Sequence, residues 1–264
     1  MNIDLSGTTA LVTGSTTGIG YAIAKGLAQS GAAVIITGRA KNNVDAAVER
    51  LTKTVPGARL RGVAADVGTA EGRQKLVAAA PDVDILVNNA GIFATRPFFE
   101  VTDDEWMQFF AVNVMSGVRL SRAYLQGMLK RNWGRIVFIS SESALHIPAD
   151  MIHYGVTKTA QLGVSRGLAE LTAGTAVTVN AVLPGPTLSD GAEAFLADIA
   201  RQEGKSVEAV ASAFIAEHRP TSLLKRFATV EEVANMVVYV CSREASATNG
   251  AALRVDGGVV RTIA

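Results

Sequence analysis

Cysteine, histidine and aromatic residues are scarce in this chain, and charge of one sign does not accumulate anywhere along it. Cys241 is the only cysteine in 264 residues, which excludes an internal disulfide and any zinc cluster built on several thiolates. It lies in an apolar helical pattern, as core residues do. Three histidines without a supporting carboxylate pattern make no case for a metal. The 25 Lys and Arg face 24 Asp and Glu, for a formal net charge of +1. With no long basic run, the electrostatic footprint of a nucleic-acid binder is missing. Nor does any apolar run reach the ~20 residues that cross a bilayer. The opening Met1-Asn2-Ile3-Asp4-Leu5-Ser6-Gly7 lacks the basic region and apolar core of a signal peptide. The expectation is a soluble, cytoplasmic protein with no nucleic-acid or membrane partner.

Hydrophobic residues, at 48% of the chain, suffice for a large core, and no linker or repeat divides the sequence. A single domain over residues 1–264 is expected. Short β-rich runs alternate with helical patterns. The strands read as Ala10–Thr13, Ala33–Thr37, Leu60–Ala65, Ile85–Val87, Ile136–Ile139, Val177–Val182 and Ala251–Val255. Helices are expected at 18–30, 41–54, 69–80, 103–131, 154–173 and 229–242. Such alternation predicts an α/β fold, a doubly wound, Rossmann-like parallel sheet of about seven strands with helices on both faces. Residues 188–224 break the rhythm, being helical without an intervening strand. Phe195, Leu196 and Ile199 form one apolar face, and Val207, Val210, Ala211 and Phe214 another. A substrate lid and a simply packed helical pair both fit this pattern.

After the first strand comes Thr13-Gly14-Ser15-Thr16-Thr17-Gly18-Ile19-Gly20. Glycines there let the backbone approach a pyrophosphate, and the following helix N-terminus offers N–H groups and positive potential. The second strand ends in Thr37-Gly38-Arg39. No carboxylate stands at its tip to hold a ribose 2'-hydroxyl, and Arg39 suits a 2'-phosphate, so NADP(H) is expected ahead of NAD(H). Further on, Ser141 precedes Tyr154-Gly155-Val156-Thr157-Lys158. On a helix Tyr154 and Lys158 share a face with a rise of ~6 Å. A cation there favours the phenolate, which brings tyrosine into use as an acid or base. By itself the pair also fits a half-buried ring beside a solvated lysine.

Taken together, these residues resemble the short-chain dehydrogenase/reductase (SDR) family, from Leu5 to about Val260. The resemblance adds Asp66-Val67, Asn88-Asn89-Ala90-Gly91, Asn113, Pro184-Gly185 and Val255-Asp256-Gly257-Gly258. It implies that Asp66 and Val67 contact the adenine and that Asn88 to Gly91 line the cofactor floor and steady the sheet. Asn113 would hold a water in a proton relay to Lys158. Tyr154 would exchange the proton, Ser141 steady the substrate oxygen, and Lys158 also hold the nicotinamide ribose. Where the family often has a threonine four residues past Gly185 for the carboxamide, this chain has Ser189, with Thr187 nearby; either hydroxyl fits.

The implied activity is hydride transfer between NADP(H) and a carbonyl or secondary alcohol. Reduction of 3-oxoacyl groups on acyl carrier protein is the alternative. Lys130 and Arg131 fit one basic site for such a carrier, but the segment Glu170 to Thr175 offers none. A small or medium apolar carbonyl compound is therefore expected instead. His146 and His153 fall in the loop expected to shape that substrate's site. A dinucleotide-binding regulator that has lost the chemistry would have no need of Asn113, Ser141, Tyr154 and Lys158 together. The helix from Gly155 to Leu171 is small and apolar nearly all round, which predicts burial on several faces. The family resemblance implies pairing of subunits through it, as a homo-oligomer that is a tetramer or dimer.

Overall fold

The computed structural model describes residues 2–263. Seven parallel strands form the central sheet: β1 (Thr9–Val12), β2 (Ala33–Gly38), β3 (Leu60–Ala64), β4 (Ile85–Asn88), β5 (Gly134–Ile139), β6 (Val177–Pro184) and, late in the chain, β9 (Ala252–Val255). Their order is β3-β2-β1-β4-β5-β6-β9. All six neighbouring pairs are parallel. The order reverses between β1 and β4, which opens a crevice at the carboxyl ends of those strands.

Alternation along each strand feeds two cores, because successive side chains leave a strand on opposite faces. Ala10, Val12, Val34, Ile36, Ile85 and Val87 meet α1 (Gly18–Gln29), α2 (Lys41–Thr54) and α9 (Val230–Cys241). Leu11, Ile35, Leu86, Ile136 and Phe138 meet α3 (Ala70–Ala79), α5 (Ser116–Arg131) and α6 (Ile152–Glu170). Each fully buried aliphatic side chain contributes roughly 1.5–3 kcal/mol. Helices α1 and α9 approach closely at Gly26, where a Cβ would stand 2.8 Å from Val238 Cγ2. Cys241 is buried in the first core. Among the described residues no helix is long and apolar enough to cross a membrane.

Three elements differ from the expectations. The pattern over 103–131 reads as one helix, but the chain forms α4 (Asp103–Phe110), a π-helical turn at Ala111–Met115, and then α5. Wide turns of this kind are common at functional sites, and this one carries Asn113. Helix α6 was expected to bury its apolar residues on several faces. In the protomer it buries Gly155 and Ala169 together with His153, Thr157, Lys158, Gln161 and Ser165, and packs Leu162, Val164 and Leu168 against the second core, whereas Val156, Gly163 and Gly167 stay exposed. The third difference lies in the 188–224 segment. It holds α7 (Asp190–Glu203) and α8 (Val207–His218) as expected, but it is entered through a two-residue strand, β7 (Thr187–Leu188). That strand pairs in parallel with β8 (Ala228–Thr229) just before α9. Leu196 and Val210 form a small separate core with Ile199, Ala211 and Phe214 against it. Phe195 points mostly outward, edge-on to Phe214.

Candidate active site

Most of the sequence motifs follow strand ends, and the parallel sheet gathers those along one edge. The turn after β1 is fastened from both sides. Ser15 donates its hydroxyl to Val12 O at 2.7 Å and accepts from Thr37 N at 3.0 Å, which ties β1 to β2. Asn89 Nδ2 donates to Thr13 O at 2.8 Å and to Gly14 O at 3.0 Å. The Thr13 hydroxyl accepts from the backbone N–H groups of Asn89 and Ala90, both at 2.9 Å. Asn89 and Ala90 thus brace the glycine turn. Gly20 has no room for a side chain, since its Cβ would lie 2.3 Å from Gly14 O. Gly14 and Gly18 take positive φ of 62° and 56°, a conformation open to glycine.

The exposed rim of this turn is made by Gly14 and Thr17, with Thr16 and Gly18 partly covered. Ile19 packs against the first core. Thr17 is the N-cap of α1 without a side-chain capping bond, so N–H groups there stay free for an anion. One of them is already used: Gly18 N donates to Asp190 Oδ2 at 3.1 Å. Asp190 opens α7, so a carboxylate of the helical pair occupies one donor at the start of α1. Arg39 stands exposed past β2. Arg50 crosses from α2 to donate to Thr16 O at 2.9 Å and stacks on Tyr21.

After β3, Asp66 accepts from Gly68 N at 2.9 Å, and Val67 is buried in the second core. Asn88, the last residue of β4, is buried and donates to Ser121 Oγ at 3.3 Å. At Gly91 an added Cβ would meet Asn113 Oδ1 at 3.4 Å and Lys158 Nζ at 3.6 Å. Gly185 lies against Asp256, whose Cα would be 2.7 Å from a Cβ there. Thr187 donates to Gly185 O at 2.9 Å. Ser189 is the N-cap of α7, accepting from Ala192 N at 3.4 Å. Both candidate hydroxyls therefore have local partners.

The residues expected to carry the chemistry stand on the π turn, just after β5, and on α6. Asn113 is locked by its side chain: Oδ1 accepts from Ile92 N at 2.8 Å, and Nδ2 donates to Ile92 O at 2.9 Å and to Thr157 Oγ1 at 3.0 Å. Its carbonyl accepts from Gln161 Nε2 at 2.6 Å. Lys158 is buried, with Nζ donating to Ile139 O at 2.9 Å and lying 5.5 Å from the centre of the Tyr154 ring. Burial pushes its ammonium down to about 8. Tyr154 is half-buried at the third position of α6, edge-on to Phe93. Burial raises its phenol above the ordinary value, aided by the Glu142 carboxylate, whereas the Ser141 hydroxyl and Arg219 act in the opposite direction. Desolvation of the phenol thus outweighs the cationic effect expected from the Tyr154–Lys158 spacing.

Ser141 caps a short turn after β5, accepting from Ser143 N at 3.1 Å. Its own proton goes to Glu142 Oε2 at 2.6 Å. Glu142 is almost wholly buried and pairs through Oε1 with Arg219 Nε at 3.0 Å. Neither residue was singled out in the sequence, and 77 positions separate them. His153 is not a loop residue: it is buried in the first turn of α6 between Trp106 and Phe109, and desolvation lowers its imidazole pKa. His146 remains exposed.

The chain matches the family model of short chain dehydrogenases over residues 8–200. It is 50% identical over 263 residues to the uncharacterized oxidoreductase YvaG of Bacillus subtilis (strain 168), with all of both chains covered. The 3-oxoacyl-[acyl-carrier-protein] reductase FabG of Aquifex aeolicus (strain VF5) is 35% identical over 98% of this chain and 100% of its own. Among solved structures, L-sorbose reductase from Gluconobacter frateurii, complexed with NADPH and L-sorbose, superposes with a TM-score of 0.92 at 33% identity, covering 100% of each chain. With its seven-stranded parallel sheet and its motifs in the family's order, the chain belongs to the short-chain dehydrogenase/reductase family, oxidoreductases that act on CH–OH or carbonyl groups.

Proposed function

We propose that this chain interconverts a carbonyl compound and a secondary alcohol with NADP(H), with Tyr154 as the proton-transfer group. The observation that carries this reading is the convergence of Tyr154, Ser141 and Lys158 at the crevice, with the phenol held protonated by burial. The cofactor cradle is the glycine turn, where a Cβ on Gly20 would collide with Gly14 O, and Arg39 is exposed at the tip of β2 to meet a 2'-phosphate. The NADPH complex of L-sorbose reductase supports the same choice. When bound, NADPH supplies the hydride.

The chain's own residues handle the oxygen. In reduction Tyr154 donates its proton to the oxygen as negative charge grows on it, and Ser141 stabilises that charge. Lys158 spends one of three donors on Ile139 O and keeps the others for ribose hydroxyls. The Asn113 carbonyl, after Gln161, has a second lone pair for a relay water. In oxidation Tyr154 serves as the base. Asp66 and Val67 are the adenine contacts in this reading, and Thr187 and Ser189 border the nicotinamide end. The α7–α8 pair acts as the lid. A carrier-protein substrate is disfavoured because Arg131 is engaged by Asp84 and Val83 O, and α6 ends on a paired Arg166–Glu170. The exposed small residues of α6 fit a homo-oligomer.

The test is nicotinamide absorbance with purified protein, NADPH or NADH, and a panel of ketones, ketoses, 3-oxoacyl thioesters and secondary alcohols. Turnover with NADPH at least about tenfold more efficient than with NADH is expected, and Arg39→Ala should erase most of that preference. No turnover across the panel would overturn the reading.

A further inference from the structure

Glu142 is a buried carboxylate beside the serine that must hold the substrate oxygen, and the reaction as described has no use for it. Removing a carboxylate from water is costly even when it is paired. The Ser141 proton is directed to Glu142 Oε2 at 2.6 Å, not to the crevice. Ser141 has one proton, so it cannot serve a carbonyl oxygen while it serves Glu142. Turning it toward a plain ketone leaves a buried carboxylate oxygen short of a donor. A hydroxyl on the neighbouring carbon removes that conflict, because it can donate to Glu142 as Ser141 turns to the carbonyl. The span is suitable: the carbonyl oxygen lies one hydrogen bond of ~2.7 Å from Ser141 Oγ, and Oε2 lies 2.6 Å from that same atom.

Both members of the pair have unspent capacity. A carboxylate offers about four acceptor sites, and Glu142 has one bond at each oxygen. Arg219 uses Nε on Glu142 and Nη1 on His218 O, so donors remain on its outer edge. Arg219 follows α8 directly, so the helical pair itself brings this group to the serine. We propose that Glu142, held by Arg219, is a specificity-determining residue that receives a hydroxyl next to the reacting carbonyl, making neutral α-hydroxy ketones the substrate class. The inference rests on the assignment of Ser141 and Tyr154 to the carbonyl oxygen. A 2-oxo acid is disfavoured at this position, where its carboxylate would face another.

Hydroxyacetone and butanone form a matched pair, differing by OH against CH3 at one end. With NADPH the wild type is expected to show a kcat/KM for hydroxyacetone at least about 10-fold above that for butanone, since a site built for a hydroxyl rejects an analogue without one. Glu142→Gln, nearly isosteric, should lower the ratio of the hydroxyacetone value to the butanone value at least about 10-fold. A merely structural role would lower both by the same factor, and that result overturns the inference. So does equal turnover of the two ketones by the wild type, or turnover confined to carbonyls without an α-hydroxyl. Those outcomes leave the reductase reading standing, whereas inactivity on every carbonyl tested would remove both.

Discussion

Lys158 combines a structural bond with the chemical role proposed for it. Its ammonium is buried, donates to Ile139 O, and is displaced by burial from its ordinary value down to about 8. Tyr154 moves the other way, since burial disfavours its phenolate. The first group to lose its working form as pH rises is therefore the lysine. The kcat/KM for NADPH, which reports the free enzyme, is expected to fall as pH passes about 8, because the neutral amine has lost its charge and one of its donors. A profile flat to pH 10 would contradict this. The tyrosine and lysine were legible in the sequence because a four-residue spacing places them on one helical face. Glu142 was not, although it adjoins Ser141, because its meaning comes from Arg219, 77 residues away.

At the scale of elements, α7 matters most to the cofactor end. Asp190, in its first turn, accepts from Gly18 N at the start of α1. In the proposed cofactor site the carboxylate occupies a donor that a pyrophosphate would use and adds like charge beside it. Asp190→Asn is expected to tighten NADPH binding about three- to tenfold, as read from cofactor fluorescence titration, most clearly at low salt. Unchanged or weaker binding would show that the contact does not compete. The contact had no local signature, because 172 residues separate its ends. The π turn was equally hidden, since residues 103–131 keep a helical pattern throughout. What marks the break is tertiary: Asn113 is held by Ile92, Thr157 and Gln161. Strands β7 and β8 have two residues each, too few for an alternation to be read.

For the whole molecule, sheet order does the positioning. Parallel strands put every following turn at one edge, and the reversal between β1 and β4 sets the glycine turn beside Asn89 and Ala90. Strand and helix alternation carried this architecture in the sequence, because strands buried on both faces read as short apolar runs. What covers the outer face of α6 was not legible, because small apolar residues do not reveal whether the neighbour is the same chain or another. Among the described residues, nothing beyond its chain neighbours and the backbone of α6 lies within 4 Å of a Cβ added to Gly163. Gly163→Leu should therefore leave the protomer folded, with helix propensity slightly improved, yet lower the mass seen by light scattering if this face joins subunits. An unchanged oligomeric mass would contradict that use of the face. The central claim, proton transfer through Tyr154, is tested most directly by Tyr154→Phe, measured for both turnover and NADPH affinity. The account predicts a kcat lowered by at least about 100-fold with the NADPH dissociation constant within about threefold of wild type; substantial retained turnover would contradict it.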